Sequence, residues 1–179
     1  MTFVLTDVVG SSELWEAVPD AMSVALARCD EIIAEAVAAA GGLLLKTKGE
    51  GDSTFSVFAR ASDGVRAAYQ MQRALLAESW AADATIRVRA AVHSGEAVER
   101  DGDYFGPAVN LVARLRGAAQ GGQVLASATT AEIVRRSLPP GCDLVEVGPL
   151  ELRGITDPVS AWALTSPDLR RLAPRRVAG

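Results

Sequence analysis

Apolar and polar positions along the chain fall into short blocks whose period changes repeatedly from two to about 3.6, the mark of alternating strands and helices. The opening run Thr2-Phe3-Val4-Leu5-Thr6-Asp7-Val8 reads as a strand. Ser11 or Ser12 is expected to cap the helix after it, and Pro19-Asp20 to start a longer one through Ala40, with Val24, Ile32, Ile33 and Val37 on its apolar face. Gly41-Gly42 ends that helix. Leu43-Leu44-Leu45 then begins a strand that turns at Gly49-Glu50-Gly51 into a second, Thr54 to Phe58, so the pair reads as a hairpin. From Ser62 to Ser79 the residues Val65, Ala68, Tyr69, Met71, Gln72 and Leu75 recur at helical spacing, and Ile86 to Val92 alternates as a strand does. Gly95 and Gly102 bracket a short hairpin-like excursion, and Gly106-Pro107 opens a helix to Ala119. A strand at Val124 to Ala126, a helix from Ala128 to Ser137, and strands around Leu144 to Val147 and Val159 to Leu164 complete the reading.

The order β-α-α-β-β-α-β, with a hairpin amid the helices, implies an α+β fold. It is the ferredoxin-like, mainly antiparallel sheet with helices on one face, followed by a small C-terminal α/β appendage. A doubly wound parallel sheet would need a helix between the second and third strands, and Gly49-Glu50-Gly51 leaves no room for one.

Composition narrows the class. At 179 residues, 49% hydrophobic and 22% charged, the chain matches one soluble domain, read here as residues 1–165 with a tail at 166–179. The net charge of −4 argues mildly against a nucleic-acid partner, since the clustered arginines are Arg170, Arg171, Arg175 and Arg176 in the tail. Cys29 and Cys142 have no CxxC spacing and read as reduced thiols. No apolar run is long enough to cross a bilayer and no leader pattern opens the chain, so no membrane contact and a cytoplasmic setting are expected.

Asp7 ends the first strand beside Val8-Val9-Gly10-Ser11-Ser12, and Asp52 follows the glycine turn. Taken singly, Asp7 reads equally as a cap and Asp52 as a turn residue. Paired, they are the hard oxygen ligands that Mg²⁺ or Mn²⁺ prefers, next to a helix start whose amides suit phosphate. Lysine is used only at Lys46 and Lys48, just ahead of Asp52, and a compact ammonium can read one ring acceptor. Gly102-Asp103-Tyr104-Phe105-Gly106-Pro107 then feeds a helix on which Asn110 and Arg114, four apart, share a face. His93, the only histidine, reads as structural, and Trp15, Trp80 and Trp162 as core or interface anchors.

These segments together, Thr6-Asp7-Val8-Val9-Gly10-Ser11-Ser12, Lys48-Gly49-Glu50-Gly51-Asp52, and Asp103 with Asn110 and Arg114 downstream, resemble the catalytic homology domain of class III nucleotidyl cyclases over roughly residues 2 to 164. The resemblance implies that Asp7 and Asp52 bind two divalent metal ions, Mg²⁺ or Mn²⁺, helped by the backbone carbonyl of Val8. It implies that Gly10, Ser11 and Ser12 cradle phosphate and that Lys48 and Asp103 read the purine, with Phe105 packed near the base. Asn110 would orient the ribose, Arg114 meet charge building on the α-phosphate, and Arg153 grip the terminal phosphates. Lys48 donating and Asp103 accepting suit adenine, whereas guanine presents the opposite pattern and would leave both unpaired. The glutamate inside the turn leaves Lys46 as the alternative register for the lysine. The implied activity is an adenylate cyclase that turns ATP into 3′,5′-cyclic AMP and pyrophosphate. Its homodimer would share metal aspartates from one subunit with Asn110 and Arg114 from the other. A noncatalytic ATP-binding module of the same fold and a guanylate cyclase are the alternatives.

Overall fold

The computed structural model describes residues 1–45 and 51–169. Lys46, Lys48 and Glu50, and the tail arginines from Arg170 onward, lie outside the described residues, so the readings placed on them stay expectations.

The elements follow in the order β1 (Thr2–Val8), α1 (Ser11–Ala17), α2 (Pro19–Ala39), β2 (Leu43–Leu45), β3 (Ser53–Phe58), α3 (Ala61–Ala77), β4 (Val88–Ser94), β5 (Val98–Arg100), β6 (Asp103–Phe105), α4 (Pro107–Ala118), β7 (Val124–Ser127), α5 (Ala128–Val134), β8 (Asp143–Leu150) and β9 (Val159–Thr165). Seven strands form one sheet in the order β2-β3-β1-β4-β7-β9-β8, antiparallel except between β4 and β7. The ferredoxin-like reading stands: the first four strands of the sheet, β2, β3, β1 and β4, are those that the sequence order assigned. β7, β9 and β8, expected as a separate appendage, extend the same sheet.

β1 lies between β3 and β4, and all seven of its residues are buried. Burial on both faces suits its consecutive apolar residues Phe3, Val4 and Leu5. Val4 and Val8 look toward one core, which also holds Ile32, Ile33 and Val37 of α2, Val65, Ala68 and Met71 of α3, and Val134 of α5. Phe3 and Leu5 look toward a second core with Phe55, Val57, Ala91 and Leu125, closed by Ala108, Val112 and Leu115 of α4. One helix therefore departs from the expected one-sided covering: α4 crosses the opposite face, because Phe3, Leu5 and their neighbours make that face apolar too.

Three local expectations are corrected. Val24 is 73% exposed and does not belong to the apolar face of α2, which runs instead through Met22, Ala25, Cys29, Ile32, Ile33, Ala36 and Val37. The cap of α1 is Gly10 in the left-handed region (φ 72°), with no side-chain cap, so Ser11 and Ser12 open the first turn rather than precede it. The fourth strand begins at Val88, two residues after the expected Ile86.

Candidate active site

The register of the three central strands sets Ser53, Asp7 and Arg89 abreast: Asp7 pairs with Ser53 of β3 on one side and with Arg89 of β4 on the other. Cross-strand partners project from the same face of a sheet, so the three side chains meet. Ser53 Oγ donates to Asp7 Oδ1 at 2.9 Å. Arg89 Nε donates to Asp7 Oδ2 at 2.7 Å, and Arg89 Nη2 donates to the same oxygen. The Asp7 side chain is only 13% exposed, and the guanidinium meets the need of a shielded carboxylate for positive charge.

Asp52 directly precedes Ser53, so it stands one residue along from the partner of Asp7, at the same end of the sheet and half-buried. Burial, with added repulsion from Asp30 and Asp52, pushes the Cys29 thiol of α2 up to about 12. That thiol is inert at neutral pH and, like Cys142, free. Val8 closes β1 opposite Val88, and the next amide, Val9 N, donates to Arg87 O at 2.9 Å, which holds the chain in line up to Gly10 and the start of α1.

Asn110 and Arg114, four apart on one face of α4, are both exposed, while Val112 and Leu115 are buried. Two residues after Arg114, Arg116 turns the other way. Its Nη1 donates to Ser53 Oγ at 3.1 Å and to the Thr6 carbonyl at 3.4 Å. At about 100° per residue, Arg114 and Arg116 lie about 200° apart round the helix. The side of α4 that reaches the Asp7 end of the sheet is thus the side away from Asn110 and Arg114.

Asp103 begins β6 and is exposed, with its Oδ1 accepting from the Tyr104 amide at 2.8 Å. Asp101 (φ 55°) and Gly102 (φ 76°) form the two-residue turn joining β5 to β6, positive at both central positions as a tight hairpin of this twist requires. Tyr104 anchors the hairpin against Phe3 and Phe55, with ring centroids 5.8 and 6.4 Å away. Phe105, 42% exposed, carries the Arg100 guanidinium 4.8 Å above its ring. Arg153 is exposed in a turn in which Ile155 N donates to Leu152 O, with Gly154 at φ 77°. His93 is buried and its Nδ1 lies 2.7 Å from Ser127 Oγ, in keeping with a structural role.

Sequence reasoning missed Arg89, Ser53 and Arg116. Strand alternation offered the signal that Arg87 and Arg89 share a face, but only the register reveals that Asp7 is opposite.

The family described as the adenylate and guanylate cyclase catalytic domain matches residues 1–166. The chain belongs to the class III nucleotidyl cyclases. An uncharacterised protein of Mycobacterium tuberculosis is 40% identical to this cyclase domain over 174 residues, which is 97% of this chain and 59% of that protein. The domain thus spans less than two thirds of the length of that relative. A crystal structure of an adenylate/guanylate cyclase/hydrolase from Silicibacter pomeroyi is 28% identical, with a TM-score of 0.76 over 93% of this chain and 96% of that one. An adenylate cyclase structure from Trypanosoma brucei, in its monomeric state, has a TM-score of 0.80 over 92% of this chain and 87% of that one at 24% identity, a likeness of fold.

The donor chemistry fits divalent metal. Asp7 and Asp52 supply hard carboxylate oxygens at one end of the sheet, and Asp7 already holds a cation, the Arg89 guanidinium. Among the described residues no group of three or more histidine, cysteine, aspartate or glutamate side chains is gathered for a metal, so water and substrate oxygens would have to complete the coordination. Also among the described residues, no helix is long and apolar enough to cross a membrane.

Proposed function

We propose that this domain is an adenylate cyclase, converting ATP into 3′,5′-cyclic AMP and pyrophosphate, with each site shared between two copies of the chain. The observation that carries the reading is the division of the polar residues. Asp7 and Asp52 stand at the β1 and β3 end of the sheet, while Asn110 and Arg114 face outward from the far side of α4. Within one chain Arg114 is directed away from the Asp7 end, and a second copy would bring such a face to it.

Asp7 and Asp52, with the Val8 carbonyl, would hold Mg²⁺ or Mn²⁺; when bound, such ions activate the attacking oxygen and neutralise the departing phosphates. Gly10 and the first-turn residues Ser11 and Ser12 would present backbone amides to the phosphates. The partner's Arg114 would then meet charge growing on the α-phosphate, and the partner's Asn110 would orient the ribose. Arg153, exposed in its glycine turn, suits a bidentate grip on the terminal phosphates. Purine choice rests on Lys48 donating and Asp103 accepting. The Tyr104 amide fixes the Asp103 carboxylate, which supports its use as an oriented acceptor for an exocyclic amine. Phe105, beside it on the same exposed strand, would pack against the base.

The test is purified protein with Mn²⁺ and either ATP or GTP, with products separated by chromatography. Cyclic AMP from ATP alone supports the reading. A thermal shift with ATP but no product would favour a noncatalytic nucleotide module, and cyclic GMP from GTP a guanylate cyclase.

A further inference from the structure

The Asp7 carboxylate, expected to hold a metal, is already paired with a cation of the chain itself. Its Oδ2 is engaged by both Nε and Nη2 of Arg89, and its Oδ1 by Ser53, itself held by Arg116. The pair is shielded, at 13% exposure for the aspartate side chain and 29% for the arginine. A carboxylate so placed needs a cation at all times, because an unpaired buried charge is strongly destabilising. A divalent ion drawing on Oδ2 would compete with the guanidinium already there, since the two positive charges repel.

Resting on the reading of Asp7 as a metal ligand, we infer that Arg89 is the resident cation of this site and that a divalent ion enters by exchanging with it. The two sides of the carboxylate differ in a way that makes exchange workable. Ser53 is fixed from α4 by Arg116 and keeps Oδ1 oriented. Arg89 already extends Nη1 toward the Gly117 carbonyl, 3.4 Å away in the last turn of α4, where the carbonyl end of a helix favours positive charge. The arginine therefore has an acceptor to move toward when it leaves Asp7. Metal affinity is lowered by the fraction of molecules in which Arg89 occupies the oxygen, and removing the arginine removes that competition.

The experiment is a Mn²⁺ titration of the full chain without nucleotide, with free Mn²⁺ read by its electron paramagnetic resonance signal. The wild type is compared with Arg89→Gln and Arg89→Lys. Arg89→Gln should bind Mn²⁺ more tightly by on the order of ten-fold, near the low end of usual coupling between competing ligands. Arg89→Lys, which keeps the charge, should lie nearer the wild type. Adding Asp7→Asn to Arg89→Gln should abolish the gain. In thermal melts, Arg89→Gln should unfold at a lower temperature than wild type without metal and gain more from Mn²⁺. Equal or weaker Mn²⁺ binding by a folded Arg89→Gln protein overturns the exchange and leaves the metal assignment standing. Absence of Mn²⁺ binding in all the proteins, both alone and with a non-hydrolysable ATP analogue, overturns the metal assignment together with it.

Discussion

His93 ends a buried chain of polar contacts: its Nδ1 meets Ser127 Oγ at 2.7 Å, Ser127 donates to Thr130 Oγ1, Thr130 donates to Ser94 Oγ, and Ser94 pairs with Thr2 at 3.0 Å. These bonds join β1, β4, β7 and α5 at the end of the sheet opposite Asp7. Burial holds the His93 pKa below the ordinary 6.5. The unfolded chain therefore binds a proton more readily than the folded one, and stability present above about pH 6.5 is lost as the pH falls below it. Because this is the only histidine, the effect is separable. His93→Asn, which keeps a group able to reach Ser127, should flatten the fall in melting temperature between pH 7.5 and 5.5; an unchanged slope in scanning calorimetry would refute it. His93 reads as structural because the mechanism that the resemblance implies needs no imidazole. Arg89 was not legible, because its partner is 82 residues away and depends on strand register.

At the scale of elements, the position of α4 decides where Asn110 and Arg114 point. Its first turn packs against the end of β4 at Gly95, where an added Cβ would come within 2.9 Å of Ala108 Cβ and 3.1 Å of His93 Nε2. Gly95→Ala should thus push α4 outward, destabilising the fold by about 1–3 kcal/mol, the usual cost of overpacking. It should also lower turnover more than nucleotide affinity, because α4 carries the residues expected to act on the reacting phosphate. Chemical denaturation and steady-state kinetics on the folded fraction check both parts, and full activity would count against the tight seat. Period and glycine punctuation made almost every element readable, since α2, α3 and the strands each bury a continuous face. The side of the sheet that α4 takes was not readable from its own sequence. It follows from Phe3, Leu5, Phe55 and Val57, which lie on strands buried on both faces and make the face beneath α4 apolar. Val24 misled for the opposite reason: an apolar side chain at near-helical spacing, it is a single exposed residue of the kind any surface carries.

For the molecule as a whole, the central question is whether two chains complete one another. Arg116 pins one side of α4 to Ser53 and Thr6, and the opposite side offers Asn110 and Arg114 outward, so on the proposed reading one helix would serve two sites. Asp7→Ala and Arg114→Ala proteins should each be nearly inactive, Arg114→Ala by roughly 100- to 1000-fold, as for loss of one preorganised contact to developing charge. If sites are shared, a mixed dimer places the intact aspartates of one chain against the intact arginine of the other and rebuilds one of two sites. Mixing equal amounts, with random exchange, should therefore restore about a quarter of wild-type turnover, because about half the dimers are mixed and each has one working site. The recovery should grow with protein concentration as dimers form, which a single-chain site would not do. No recovery in mixed dimers verified by differently tagged chains would mean that each chain completes its own site. The outward aim of Arg114 would then require α4 to rotate by roughly half a turn, tearing Arg116 from Ser53 and exposing Val112 and Leu115.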